Sequence, residues 1–214
     1  MKFNIIDKIE WQRKEYFEHY YSNVPCTYSM TVEVDITNVL EELKINGLKL
    51  YPFMIYCISK IVNRHREFRT AIDDKNNIGY YDVMNPSFTI FHKDTETFST
   101  IWTEYNNDFK VFYNNYVEDM EQFGDAKGIV SKPIKEENMF TISSIPWTTF
   151  KGFNLNLQKG YDYLLPIFTI GKYYNQYEKI LMPLSVQVHH SVCDGFHVSR
   201  FINELQDLIM EFKI

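Results

Sequence analysis

The chain has 214 residues, of which 45% are hydrophobic and 17% aromatic, and this composition predicts a globular domain with a full core rather than a disordered protein. The formal net charge of −6, without a Lys/Arg-rich run, argues against nucleic acid as a partner. We expect a cytoplasmic protein without a membrane partner. The first 20 residues are rich in charge, no apolar stretch is long enough to span a bilayer, and the three cysteines are widely spaced.

Strand-like and helix-like segments alternate along the chain, which predicts an α/β layered fold formed by residues 1–214 as a single domain. In chain order the patterns predict a strand at 27–36, helices at 37–46 and 53–63, a hairpin of strands 68–72 and 78–82, strands at 87–93 and 97–105, a helix at 108–123, strands at 139–144, 164–171 and 180–189, and a helix at 196–212. Thr37 is expected to cap the first helix, and Pro52 suits a first helical turn.

The most informative segment is HHSVCDGFH at residues 189–197. Histidine is the usual proton acceptor near neutral pH, and Asp194-Gly195 behind it is typical of a turn. In the preceding strand, His190 falls on the phase of the apolar residues, whereas His189 falls on the phase of Gln187. The alternation therefore favours His190 as the enclosed base, with an imidazole kept neutral by desolvation. The ordinary alternative is a core histidine bonded to a carbonyl.

Three other interpretations of this segment remain open from the residues alone. His190, Asp194 and His197 could ligate a metal, although H-x3-D-x2-H is not a strong zinc pattern and we expect no metal. Cys193 could be a nucleophile, but a small buried thiol is the commoner case. Asp194 could orient His190 as in a hydrolase triad, although the chain has no G-x-S-x-G elbow.

HHSVCDG matches the HHxxxDG signature of the coenzyme-A-dependent acyltransferases, and more narrowly the chain resembles the chloramphenicol acetyltransferases. Further motifs of that family occur in family order: WQRK at 11–14, PCTY at 25–28, YP at 51–52, TETFS at 95–99, SSIPW at 143–147, FNL at 153–155 and GKY at 171–173. The resemblance implies the coenzyme-A-dependent acyltransferase fold. This is an α/β fold, a two-layer α+β sandwich in which helices cover a mixed β-sheet.

The resemblance also implies a reaction, which is acetyl transfer from acetyl-CoA to the 3-hydroxyl of chloramphenicol, giving antibiotic resistance. His190 resembles the general base, with its tautomer fixed by a bond from the other ring nitrogen to its own carbonyl. Ser143 resembles the serine that stabilises the tetrahedral oxyanion, and Thr169 the threonine that supports this intermediate through water. Asp194 resembles the aspartate that pairs with an N-terminal arginine, here Arg13.

Family positions that form the wall of the drug pocket are matched by Tyr20, Cys26, Phe98, Phe153 and Leu155. Trp147 and Tyr173 match positions along the coenzyme tunnel. The chain departs from the family pattern at His19, where relatives often have an apolar residue, and at Ser191, where alanine is frequent.

The resemblance implies a homotrimer with active sites between subunits, in which His190 faces a pocket built largely by the neighbouring chain. Two alternatives stand beside this interpretation. One is a related acyltransferase acting on another hydroxyl acceptor. The other is a non-catalytic module that binds the drug, which the aromatic composition would also suit.

Overall fold

A computed structural model describes residues 2–134, 137–157 and 162–213. The strands are β1 (Phe3–Ile5), β2 (Thr27–Asp35), β3 (Thr70–Ile72), β4 (Ile78–Tyr81), β5 (Asn85–His92), β6 (Thr97–Trp102), β7 (Met139–Ile145), β8 (Ile167–Gly171), β9 (Tyr174–Gln176) and β10 (Lys179–His189). The helices are α1 (Lys14–Glu18), α2 (Thr37–Ile45), α3 (Leu50–Arg64), α4 (Phe109–Phe123) and α5 (Gly195–Glu211). No helix in the described ranges is long and apolar enough to cross a membrane.

The predicted α/β class is confirmed, and every predicted strand and helix is present with shifted ends. The short elements β1, α1 and β9 were not predicted, nor were a π-helical turn at His19–Asn23 and a 3-10 turn at Arg66–Arg69. The prediction that Thr37 caps α2 is wrong, because Ile36 occupies the N-cap position of this helix and forms no side-chain cap bond. Thr37 instead donates its hydroxyl to the Asp35 carboxylate at 2.6 Å, and this hydroxyl also accepts from the backbone N–H of Ile180 at 2.9 Å.

The main sheet is mixed, with strand order β2-β10-β8-β7-β5-β6 and β9 paired to one end of β10. The β5–β7 and β7–β8 pairs are parallel, whereas β10 runs antiparallel to both of its long neighbours. A separate three-stranded sheet has the order β1-β4-β3. The eleven-residue strand β10 therefore lies inside the main sheet and carries its C-terminal end to the edge where β2 begins.

Helices α3, α4 and α5 lie against one face of the main sheet, which is apolar. Phe168 of β8 is directly opposite Val186 of β10, and its ring stacks on Phe201 of α5 at a centroid distance of 5.0 Å. α3, which is almost wholly buried, packs against both α4 and α5. Directly opposed residues share a face, so the neighbouring row of Ser185 and Thr169 faces away from these helices. This second, polar face carries much of the candidate site.

Candidate active site

The loop after β10 brings the signature residues into a defined turn. β10 ends at His189, and α5 begins at Gly195 with Asp194 as its N-cap. The Asp194 carboxylate accepts from the backbone N–H of Phe196 at 3.2 Å, while the Asp194 N–H donates to Nδ1 of His197 at 3.2 Å. Asp194-Gly195 was predicted as a turn and is instead a helix start, because an aspartate at the cap satisfies the first free N–H groups of the helix.

Arg13 binds this loop at three points. Its Nε donates to the carbonyl of Ser191 at 3.0 Å, its Nη1 to the Asp194 carboxylate at 2.9 Å, and its Nη2 to the carbonyl of His190 at 3.1 Å. Burial alone would raise the pKa of Asp194, but the hydrogen bond from Arg13 and the nearby His197 hold it below its ordinary value. The structure therefore brings Arg13 and Asp194 together, and the pair fixes the backbone on either side of Ser191.

His190 is half-buried, and its ring is held between two tyrosines. Tyr20 stacks on the imidazole with a centroid distance of 3.9 Å and an interplanar angle of 7°, and Tyr28 meets it edge to face at 5.3 Å. The His190 N–H donates to the carbonyl of Cys26 at 3.0 Å. Among the described residues Nδ1 of His190 is buried without a partner, so the expected bond to its own carbonyl is absent, and that carbonyl accepts from Arg13.

The fully enclosed imidazole belongs to His189, which is 1% exposed. Its Nδ1 accepts from the Ser191 hydroxyl at 2.7 Å and from the Ser191 N–H at 3.2 Å. Burial, followed by the neighbouring His190, lowers the pKa of His189 to about 4. The prediction that alternation makes His190 the enclosed residue is wrong, because the strand ends at His189 and its alternation does not continue into the turn.

Ser143 and Thr169 form a pair of hydroxyls on the polar face of the sheet. They are direct partners in the parallel β7–β8 pair, and their oxygens are 3.0 Å apart. Thr169 is 2% exposed, whereas Ser143 is half-buried. The structure thus places these two predicted residues in direct contact.

Within one chain, the Ser143 pair and His190 are far apart. Thr169 is opposite Ser185 of β10, and His189 lies four residues farther along that strand. At a rise of about 3.3 Å per residue and a strand spacing of about 4.8 Å, Ser143 is about 16 Å from His189. This separation is too large for His190 and Ser143 of one chain to contact the same reacting carbon.

The predicted pocket residues divide between the two regions. Tyr20 and Cys26 contact His190 of their own chain. Phe153 and Leu155 lie over the polar face, where the carbonyl of Phe153 accepts from Ser185 at 2.6 Å. The expectation that the wall beside His190 comes largely from a neighbouring chain therefore does not hold for Tyr20 and Cys26.

The remaining predicted residues are exposed aromatics. Phe98 of β6 is directly opposite Phe91 of β5, whose ring meets Trp147 at 4.6 Å. Phe98 is 52% exposed, Trp147 58% and Tyr173 43%. Phe91, Phe98 and Trp147 are neighbours and partly or largely exposed, and a contiguous apolar patch of this kind is typical of a binding or contact surface.

The other interpretations of the signature gain no support. Cys193 is 1% exposed, and burial raises the pKa of its thiol well above the ordinary value, so it is not poised as a thiolate. A triad would require Asp194 to contact the His190 ring, but Asp194 contacts Arg13 and His197 instead. Within the described ranges no three His, Cys, Asp or Glu side chains form a group that could hold a metal ion.

Sequence reasoning missed two residues beside the site. Tyr28 packs on His190, and Gln187 binds the backbone of Leu155 through both ends of its amide. The signal for Gln187 was present, because Ser185, Gln187 and His189 are polar at alternate positions of an otherwise apolar strand.

Comparisons with known proteins agree on one family. The family described as "CAT: Chloramphenicol acetyltransferase" matches residues 1–206. A chloramphenicol acetyltransferase of Clostridium perfringens is 60% identical over 209 residues, covering 98% of this chain and 99% of the relative. One of Clostridioides difficile is 59% identical over 214 residues, covering 100% and 99%.

Solved structures agree with this result. A chloramphenicol acetyltransferase structure superimposes with a TM-score of 0.85 at 25% identity, covering 97% of this chain and 100% of the other. The cubic core of a pyruvate dehydrogenase complex has a TM-score of 0.64 at 15% identity, covering 92% and 86%, and shares the fold. The signature loop, the mixed sheet and the full-length matches together show that this chain belongs to the chloramphenicol acetyltransferase family.

Proposed function

We propose that this chain is a chloramphenicol O-acetyltransferase that transfers the acetyl group of acetyl-CoA to the 3-hydroxyl of chloramphenicol and so confers resistance. The observation that carries the proposal is the HHSVCDG loop, in which Arg13 holds the backbone of His190 at the end of β10 while Tyr20 stacks on its ring. A half-buried histidine in a clamped loop is suited to general-base catalysis. The whole chain acts as one acyltransferase domain.

In this mechanism His190 removes the proton from the attacking hydroxyl as its oxygen adds to the thioester carbon. The tetrahedral intermediate then breaks its C–S bond, and the His190 imidazolium returns the proton to the departing coenzyme A thiolate. Nδ1 of His190 is buried, which leaves Nε2 as the ring nitrogen that meets the substrate. A lone pair on Nε2 requires the proton of the neutral imidazole to be on Nδ1. Stacking on Tyr20 restricts rotation of the ring, so Nε2 keeps one direction. Arg13 and Asp194 act as positioning residues, since they contact the loop and not the reacting atoms.

Ser143 stabilises the charge that develops when the hydroxyl oxygen adds to the thioester carbon. Its hydroxyl donates to the oxyanion, and Thr169, at 3.0 Å, can then donate to the Ser143 oxygen. This polarised pair is a stronger donor than an isolated serine, because hydrogen bonds in a chain reinforce one another. One such donor is worth about 10²–10³ in rate.

We further propose that the active site is shared between chains of a homotrimer. His189, the residue next to His190, is about 16 Å from Ser143 in one chain, so a second copy has to supply one of the two catalytic residues for both to reach the same carbon. The wall is then mixed, with Tyr20 and Cys26 from the chain that supplies His190, and Phe153 and Leu155 from the chain that supplies Ser143. We assign Phe98 to the same wall.

Trp147 and Tyr173 are proposed to contact acetyl-CoA. Both are aromatic and largely exposed, and such faces can stack on the adenine of the coenzyme. A cytoplasmic location is consistent with three free cysteines, because a reducing compartment keeps thiols reduced.

The experiment is a thiol-release assay on purified protein. With chloramphenicol and acetyl-CoA we expect free coenzyme A to appear in proportion to a mono-acetylated product, identified by mass spectrometry as the 3-ester. An analogue without the 3-hydroxyl is the control and should give no release. Folded protein that releases no thiol in response to chloramphenicol would overturn the proposal.

A further inference from the structure

Residues 152–157 cross the polar face of the sheet without forming a helix or a strand. Their backbone groups therefore need other partners, because buried N–H and C=O groups are costly when unpaired. The N–H of Phe153 donates to the Thr31 hydroxyl at 3.3 Å, and its carbonyl accepts from the Ser185 hydroxyl at 2.6 Å. Two side chains of the sheet thus bind both backbone groups of one residue.

The same arrangement recurs two residues later. The N–H of Leu155 donates to Oε1 of Gln187 at 2.7 Å, and its carbonyl accepts from Nε2 of Gln187 at 2.9 Å. The Ser29 hydroxyl donates to the same Oε1 at 3.3 Å. One glutamine amide therefore satisfies both backbone groups of Leu155 and is itself oriented by Ser29.

These four side chains, Ser29, Thr31, Ser185 and Gln187, form what we call the polar ladder. Thr31 is directly opposite Ser185, and Ser29 is directly opposite Gln187, in the antiparallel β2–β10 pair. The bound residues are two apart, as are the side chains that bind them on each strand. The sheet's own backbone bonds lie in its plane, so only side chains perpendicular to it can hold a segment that crosses its face.

We propose that the polar ladder, with Gln187 as its principal positioning residue, sets the place of the Phe153–Leu155 wall and thereby the fit of the acceptor substrate. The inference rests on the proposed function of this site. Gln187 is the main determinant because it is 5% exposed and makes two bonds to a single residue. It does not touch the reacting atoms, so its influence falls on acceptor binding.

Gln187→Met tests this role, since methionine has similar length but forms neither bond to Leu155. We expect the KM and the Kd for chloramphenicol to rise about tenfold, as for the loss of buried hydrogen bonds at a binding wall. The KM for acetyl-CoA should change less than about twofold, because the hydrogen bonds of the ladder among the described residues go to Phe153 and Leu155 and not to Trp147 or Tyr173. Ser185→Ala, which frees only the Phe153 carbonyl, should give a smaller rise of about threefold in the same two constants.

Thr103→Val is the matched control, because Thr103 is fully buried and its hydroxyl donates to Asp119 at 2.8 Å outside this region. It should lower the melting temperature without changing either KM. Chloramphenicol Kd is measured by calorimetry, so the result does not depend on turnover, while turnover of the unmutated chain tests the proposed function separately. An unchanged chloramphenicol Kd in Gln187→Met, or equal rises in both KM values, would overturn the inference. If Gln187→Met does not fold, Ser185→Ala decides by the same criteria.

Discussion

The separation of His190 and Ser143 within one chain leads to a quantitative prediction for mixed oligomers. His190→Ala removes the proposed base, and Ser143→Ala removes the proposed oxyanion donor. When the two variants are denatured and refolded together in equal amounts, each shared site draws its histidine from one chain and its serine from the next. About a quarter of the sites then receive both intact residues, so the mixture should regain about 25% of unmutated activity.

This recovery is large relative to the separate variants. Ser143→Ala should retain about 10⁻² to 10⁻³ of normal turnover, and His190→Ala about 10⁻² to 10⁻⁴. Thiol release per milligram of refolded protein measures all three samples. Light scattering should report about three times the chain mass of 25.7 kDa for the unmutated protein.

A second mixture provides the control for refolding. The double variant His190→Ala/Ser143→Ala mixed equally with unmutated protein should give about a quarter of full activity if sites are shared, but about half if each site lies within one chain. Cys26 would be a poor choice for such a test, because it lies beside His190 of the same chain and both defects would then fall on the same half of the site. A mixture of the two single variants that stays at the level of its parents, while the control recovers, would refute the shared site.

Two further predictions concern the loop that carries His190. Arg13→Val and Asp194→Asn should each lower stability and activity. The double variant should lose about 1 kcal/mol less unfolding free energy than the sum of the two single losses, because the partly exposed pair is already lost in each single variant. Strictly additive losses of unfolding free energy would contradict the pairing. Burial lowers the pKa of His189 to about 4 in the folded protein, whereas in the unfolded chain it is near 6.5. Between these values the unfolded chain takes up a proton that the folded protein does not. The contribution of His189 to the stability of the fold is therefore complete above pH 6.5 and is lost as the pH falls toward about 4. Between pH 7 and pH 4.5 the unmutated protein should lose about 2 kcal/mol more stability than His189→Gln, as measured by denaturant unfolding at both pH values. Equal losses would show that His189 is not desolvated.

Periodicity predicted the long elements well, because each buries a continuous apolar face. The helix at 108–123 is one example, with an Asp108 side chain that accepts from the N–H of Val111 at 3.0 Å at its start. β1, α1 and β9 have three to five residues, too few for a period to emerge. Their positions depend on neighbours distant in sequence, such as β4 for β1.

The sequence was less informative about the two histidines. Alternation assigns faces only while a strand continues, and β10 stops at His189 because Arg13 and the Asp194 cap bend the following residues into the α5 start. Neither constraint is visible in strand periodicity. An Asp-Gly pair is also ambiguous, since aspartate is favoured both in turns and at helix caps.

The family motifs named residues but not their distances. They identified His190 and Ser143 as parts of one site, but in the described chain β8 lies between the strand that leads to His190 and the strand that carries Ser143. Sequence order contains no information on which chain completes a site, since a symmetric assembly repeats every residue. The polar ladder was equally hidden, because its bonds join side chains of two strands to the backbone of a third segment.

The most direct test of the account is turnover and drug binding by His190→Ala, compared with His65→Gln. His65 is a half-buried histidine bonded to Glu204 at 2.9 Å between α3 and α5, away from the site. We expect kcat to fall about 10²–10⁴-fold in His190→Ala while the chloramphenicol Kd stays within about threefold, and His65→Gln to keep its turnover. Turnover by His190→Ala within tenfold of the unmutated protein would contradict the assignment of His190 as the base.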